Sequence, residues 1–236
     1  MVSNIPFLVL PLIMMSLHKN YSTRVPHCNH VNLVWLLLIG IGIGSIYFHA
    51  TLSLFGQFID EIGILWVCCA VMCVWMLDCY LHPWCRRHRS WYQIIVICFA
   101  LLATLLSFLK PEINHFFLFL FIVPAFMVLK NEMNKSDYCL FKRLCKYTLA
   151  TWTLALLFWV CDRVFCPFWL HLHFPYLHGI WHILTSIGGC EACVCYAYCY
   201  AKEQVSEKQP VLQFYSLIGK NSLCGLWYVT FYDSSV

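Results

Sequence analysis

The fold class this sequence predicts is an all-α membrane protein, a seven-transmembrane helix bundle, and three observations predict it. Of 236 residues, 61% are hydrophobic and only 11% charged, against about a quarter charged in ordinary soluble domains. The apolar residues fall in seven runs, at about 2–17, 32–53, 60–80, 91–109, 115–130, 147–162 and 176–200, and a spanning helix needs roughly 20 residues. The basic residues lie almost entirely in alternate connections between those runs, as topology signals do.

The first run, interrupted by Pro6 and Pro11, has no basic residue before it and no small-residue cleavage site after it, so it reads as a span rather than a cleaved signal. Pro124 interrupts the fifth in the same way, and neighbouring helices take up the backbone groups such prolines free. One domain of seven helices over 1–200 and a tail over 201–236 account for the chain. Most of the sixteen cysteines, such as Cys68, Cys69, Cys73 and Cys98, sit inside apolar runs, where Cys packs as a small apolar residue. Cys190, Cys193, Cys195 and Cys199 in the last run do not share one helix face and are read as packing.

Of the fifteen Lys and Arg residues, all but Lys110 and Arg163 fall on one side of this topology, which the positive-inside rule makes cytosolic. The amino terminus then faces the lumen or exterior and the carboxyl terminus the cytosol. The formal net charge of +4 is spread over short connections, so nucleic acid is excluded as a partner, and the lipid bilayer is the expected surroundings.

With that topology, Ser45 and His49 near the end of the second run, Asp60 and Glu61 at the entrance of the third, and His178 and His182 in the first turns of the seventh all reach the lumenal side. Ionisable groups inside spans are costly and mark functional sites. His178 and His182 stand at i and i+4, one helical turn apart on one face, a spacing that suits two ligands of one ion. With His49 they make three nitrogen ligands, the catalytic pattern for zinc, in which a fourth position is left for water. Asp60 and Ser45 are then candidates to act on that water and on a substrate. A pair of interfacial histidines hydrogen-bonded to their surroundings is the alternative.

The remaining polar residues have simpler readings. Asp162 and Arg163 are expected to pair with each other at the membrane interface, and Glu61 to support the site rather than ligate. His18, His27, His30, His82, His88, His115, His171 and His173 fall in or beside connections and are expected to be solvated. Trp84, Trp91, Trp169 and Tyr200 near run ends are expected to be interfacial anchors. Glu191, a carboxyl deep in the seventh run, is expected to be protonated or to face the bundle interior.

Ser45-Ile-Tyr-Phe-His49-Ala-Thr-Leu-Ser, Gly56-Gln-Phe-Ile-Asp60-Glu61, Cys161-Asp162-Arg163 and Phe174-Pro-Tyr-Leu-His178-Gly-Ile-Trp-His182 resemble the alkaline ceramidases, in order and over nearly the whole chain, and most closely the Golgi-type member. The resemblance implies a seven-helix intramembrane zinc amidase of the Golgi or endoplasmic reticulum that hydrolyses ceramide to sphingosine and a free fatty acid. It matches His49, His178 and His182 to the zinc ligands, Asp60 to the acid that deprotonates the zinc water, and Ser45 to the hydroxyl near the oxyanion. In the family an acidic segment ahead of the first helix binds calcium. No such segment precedes Met1, so no calcium site is carried over, Cys166 is matched to the cysteine that pairs with that segment, and an inactive truncated ceramidase is one alternative. Another is a seven-helix lipid-binding or receptor-like protein with a structural zinc, because adiponectin-receptor-like proteins share the general plan.

Overall fold

The computed structural model describes residues 2–26, 28, 30–174, 176–217 and 225–231. It is mostly helical, and its seven helices of thirteen or more residues coincide with the seven predicted runs. A 3₁₀ turn, Val2–Asn4, leads into α1 (Ile5–Leu17), and Pro6 occupies the first helical turn, where its missing N–H costs nothing. A single turn, α2 (Tyr21–Arg24), links α1 to α3 (Val31–Thr51), which is followed by α4 (Leu54–Trp75). After the short α5 (Pro83–Arg87) come α6 (Arg89–Leu109), α7 (Ile113–Lys135) and α8 (Cys139–Val164), then the short α9 (Cys166–His171) and the 28-residue α10 (Leu177–Gln204).

Five of these helices are long and apolar enough to cross a membrane: α3, α4, α6, α8 and the Phe116–Lys135 part of α7. Their outward faces carry exposed Ile95, Leu102, Phe119, Val123 and Leu157, as helices facing hydrocarbon do. The chain is therefore a multi-pass membrane protein. The other two long helices differ for separate physical reasons. The segment from Val2 to Leu17 is short. α10 carries His178, His182, Thr185, Ser186 and Glu191, and is enclosed by α8, α1, α4 and the hairpin described below, with every residue from Cys193 to Ala201 buried. A helix surrounded by protein need not be apolar all round.

Between α3 and α4 the connection is only Leu52 and Ser53. Leu52 adopts a left-handed conformation (φ 49°) that stops α3, and the Ser53 hydroxyl accepts a hydrogen bond from the Gly56 N–H (3.0 Å), capping α4. The two helices then run side by side at very short range. A Cβ at Gly44 would lie 2.8 Å from Ile59, and one at Gly56 would lie 2.9 Å from the Phe48 Cα. Small residues at these positions let the backbones touch, the usual device of helix pairs in membranes. α4 starts six residues before Asp60, so Asp60 and Glu61 lie in its second turn rather than at its entrance, deeper than the apolar pattern suggests.

At the far end, Trp35, Trp75, Tyr21, Tyr200 and His18 pack together fully buried. This corrects two sequence readings. Tyr200 is core, its ring under the Arg89 guanidinium, not an interfacial anchor. His18 is 1% exposed, its Nδ1 3.1 Å from the Met14 carbonyl and its ring against Tyr21 and Trp35. Of the other histidines expected to be solvated, His30, His82, His88, His171 and His173 are exposed, while His27 and the His115 side chain lie outside the described residues.

Beyond α10 the structure departs from an all-α fold. β1 (Pro210–Ser216) and β2 (Gly225–Phe231) form an antiparallel hairpin with Leu212 opposite Val229, and Leu212, Leu226, Val229 and Phe231 are buried against α10 and α1. Glu191 faces the interior between α10, α1 and β2, beside a cavity of about 20 Å³ lined by Met14, Cys190, Val194 and Trp227. Cys190, Cys193, Cys195 and Cys199 are buried in the core with free thiols.

Burial pushes the His18 imidazole down to about 4 from its ordinary 6.5. The folded protein holds it neutral, so its contribution is complete above pH 6.5 and is lost as pH falls towards 4, at a cost on the order of 3 kcal/mol by linkage. His18→Phe in detergent-solubilised protein is expected to flatten that part of the melting-temperature profile between pH 6.5 and 4. Parallel profiles for the two proteins would refute this assignment.

Candidate metal centre

Four helices deliver side chains to one end of the bundle. α3 brings Ser45 and His49, a helical turn apart on one face, α4 brings Asp60, α8 ends in Asp162, and α10 begins with His178 and His182. The short α3–α4 turn forces the end of α3 against the start of α4, and α10 starts at the same level because the Val2–Asn4 turn packs on it, with Ser3 3.6 Å from the Cβ position of Gly179.

The imidazoles of His49, His178 and His182 converge, with one ligand atom from each all within 4.8 Å of one another. His49 Nε2 and His182 Nε2 are 3.2 Å apart, and the His178 and His182 rings, one helical turn apart, have centroids separated by 4.6 Å. His182 is 5% exposed, and His49 and His178 are half-buried. Among the described residues this is the one cluster of His, Cys, Asp or Glu that could hold a metal ion.

The groups around the histidines fix their orientation. Ser45, fully buried, places its Oγ 3.4 Å from His182 Nδ1 and also faces the Asp60 carboxylate. One hydroxyl thus ties α3 to both α4 and α10. On the other flank the Asp162 carboxylate lies 3.4 Å from His178 Nδ1. A nitrogen engaged this way directs its partner nitrogen inward, and carboxylates or hydroxyls behind ligating histidines serve that purpose in metal sites.

Asp162 is the residue that the sequence reading placed wrongly. It does not pair with Arg163, whose guanidinium sits over the Trp159 ring. Neighbours at i and i+1 on a helix point about 100° apart and do not face each other. The signal that could have found the contact was sidedness, since Asp162 and His178 were already assigned to the same membrane face. Glu61 is no ligand: it accepts from Gln57 Nε2 (2.9 Å) on its own helix and from Asn114 Nδ2 (3.5 Å) on α7. Asn4, a second residue the reading passed over, is fully buried with neither amide atom hydrogen-bonded among the described residues. Phe7, one turn further on, packs on Gly42, which sets Asn4 at about the level of Ser45.

Replacing Asp162 by Asn keeps the shape and removes the charge behind His178. The affinity of the purified protein for zinc, read by competition with a chromogenic chelator, is expected to weaken about 10–100-fold. Unchanged affinity would show that Asp162 does not support the cluster.

Comparison with known proteins gives a consistent answer. A family model described as ceramidase matches residues 1–221. The alkaline ceramidase of Drosophila melanogaster is 36% identical over 213 residues, covering 90% of this chain and 75% of that protein. Alkaline ceramidase 1 of Homo sapiens is 37% identical over 186 residues, covering 78% and 69% of the two chains. Alkaline ceramidase 3 of Mus musculus is 25% identical over 164 residues, covering 65% and 60%.

Proposed function

The chain belongs to the ceramidase family, and from that premise and the site geometry we propose that it is a membrane zinc amidohydrolase that cleaves the N-acyl bond of ceramide to sphingosine and a free fatty acid. The observation that carries this reading is the convergence of three imidazoles with a Ser45–Asp60 pair at one end of apolar helices. We further propose a seven-span topology, with α1 and α10 completing the five apolar spans, the amino terminus lumenal and the carboxyl terminus cytosolic, in the Golgi or endoplasmic reticulum. In support, Lys110 and Arg163 are the two Lys or Arg residues at the histidine end among the described residues, while Arg86, Arg87, Arg89, Lys135 and Lys202 lie at the other.

The donor set fits zinc. Two nitrogens each about 2.0–2.1 Å from one tetrahedral zinc stand about 3.3 Å apart, and His49 and His182 offer Nε2 atoms at 3.2 Å. Three histidine ligands leave one position for water. Zinc held there would lower the pKa of a bound water from about 15.7 towards 7 and polarise an amide carbonyl.

The chain's own groups then have defined work. If His182 Nδ1–H donates to Ser45 Oγ and His178 Nδ1–H donates to Asp162, both rings present an unprotonated Nε2 to the centre. The Ser45 hydroxyl has one proton, which it gives to Asp60 while that carboxylate is ionised. Asp60 is the general base that takes a proton from the attacking water, and then the acid that gives it to the departing amine nitrogen. Once Asp60 is protonated, the Ser45 O–H is released to turn towards the oxygen that gains charge in the tetrahedral transition state. A substrate with two long chains and a small uncharged head meets this site at the membrane interface, where its amide lies, with apolar helix faces for its tails.

His182→Ala and Asp60→Asn, assayed on membranes in which each protein accumulates normally, are expected to lose ceramide hydrolysis by at least 100-fold. Ser45→Ala should retain zinc and lose about 10–100-fold in kcat. Full sphingosine release by both His182→Ala and Asp60→Asn would overturn the assignment. Stoichiometric zinc with no sphingosine release by the unaltered protein would instead leave a lipid-binding protein with a structural metal.

A further inference from the structure

At the end of the bundle opposite the histidines, α4 stops at Trp75 and the chain folds back through Asp78–Tyr80 and α5 before entering α6. This fold encloses a cleft of about 500 Å³, lined by Asp78, Arg86, Arg87, His88, Arg89 and Trp91 and reaching Tyr200 and Gln204 of α10. That volume is typical of a ligand site.

The charges in the cleft are unequally satisfied. Asp78 is fully engaged, its Oδ1 accepting from Arg89 Nη1 (2.8 Å) and its Oδ2 from Gln204 Nε2 (2.8 Å). Arg89 also donates to the Met76 carbonyl (2.8 Å), and its guanidinium lies over Tyr200. Arg89 and Asp78 therefore form a neutral wall. Glu203, behind that wall, spends both carboxylate oxygens on the Asp78 and Cys79 N–H groups (2.8 and 3.0 Å). Arg86 uses only Nε, on the Asp78 carbonyl (3.1 Å), and Arg87 has no hydrogen bond or ion pair among the described residues. Two exposed guanidinium forks are left over, next to His88.

Such forks match phosphate oxygens bidentately. The cleft's position says which phosphate. Trp84 and Trp91 are 48% and 55% exposed, and Ile94 and Ile95, one turn further along α6, are 47% and 51% exposed. Exposed tryptophans followed by exposed aliphatics mark the level at which headgroups give way to hydrocarbon. A basic pocket between spans on the positive side is where acidic headgroups bind. We propose that the Arg86–Arg87 cleft binds the phosphorylated headgroup of an anionic membrane lipid, a site separate from the histidine centre and independent of the reaction proposed for it.

Binding of dioctanoyl phosphatidylinositol 4-phosphate to the purified 236-residue chain in neutral detergent, followed by native mass spectrometry and by the melting temperature, tests this directly. Saturable binding of about one lipid per chain is expected, weakened at least tenfold in the Arg86→Gln/Arg87→Gln variant. Both residues are exposed and Arg86 has a single internal bond, so the variant's melting temperature without lipid should match the parent's. Dioctanoyl phosphatidylcholine should bind at least tenfold more weakly, and inorganic phosphate should not reproduce the shift. Equal binding by the variant, or equal binding of phosphatidylcholine, overturns the proposal. Inorganic phosphate matching the lipid overturns the lipid assignment and makes the cleft a site for free phosphate. Because the readout is binding, failure here leaves the hydrolytic reading untouched, and loss of hydrolysis leaves this result standing.

Discussion

A polar group inside an apolar helix is tolerated only if another group satisfies it, because the bilayer offers no water to do so. Ser45 meets that requirement where α3, α4 and α10 come together. It is fully buried, and its one hydroxyl meets both the Asp60 carboxylate on α4 and the His182 ring on α10. Those contacts exist only because α3 and α4 lie against each other at Gly44 and Gly56, with a two-residue turn between them that permits no slack. A side chain at either glycine would separate the helices, and the serine would lose one partner or the other. The packing of two helices and the chemistry of the histidine cluster are thus one constraint seen at two scales.

α10 shows why composition alone undersells a helix of this kind. It is the longest helix among the described residues and central to the fold, yet it falls short of the apolar level that α3, α4, α6, α7 and α8 reach. From Cys193 to Ala201 its neighbours, not lipid, surround it. Tyr21 donates its hydroxyl to the Ala197 carbonyl (2.7 Å), and Tyr196 does the same to Ala125 of α7 (2.6 Å). The hairpin covers a further side, bringing Phe231 to 6.1 Å from the Tyr21 ring. A helix enclosed in this way is free to carry two histidines and a glutamate, because protein faces them: Asp162 meets His178 and Ser45 meets His182, while Glu191 lines the small cavity beside α1 and β2 with its Oε2 unpaired among the described residues.

Much of this was legible in the sequence, and the parts that were not share a cause. The seven runs, the one-sided charge and the i,i+4 histidines depend on local pattern, and each corresponds to a feature of the structure. What pattern misses is which way a side chain turns after its helix has been placed. His18 and Tyr200 sit at run ends, where solvent is the default, but a cap of aromatic residues closes over both. Asp162 turns across to His178 instead of along its own helix. The hairpin escaped because its buried residues Leu212, Leu226, Val229 and Phe231 divide between two strands far enough apart that neither alone reads as alternating.

The two ends of α10 set a length that bears on how the sites stand in a membrane. From His182 to Gln204 is 22 residues of helix, about 33 Å at 1.5 Å per residue. The hydrocarbon core is about 30 Å thick. With α10 spanning as proposed, a straight helix places the histidine centre near one interface when the arginine cleft stands at the other. Neither site can touch what the other holds, and at that separation coupling would need an element with two discrete arrangements. On the proposed topology the length of α10 itself sets the height at which Asp60 and the three imidazoles meet the headgroup layer. For a lipid amide, whose carbonyl lies just below that layer, depth is the coordinate that decides whether the scissile bond and the histidines coincide.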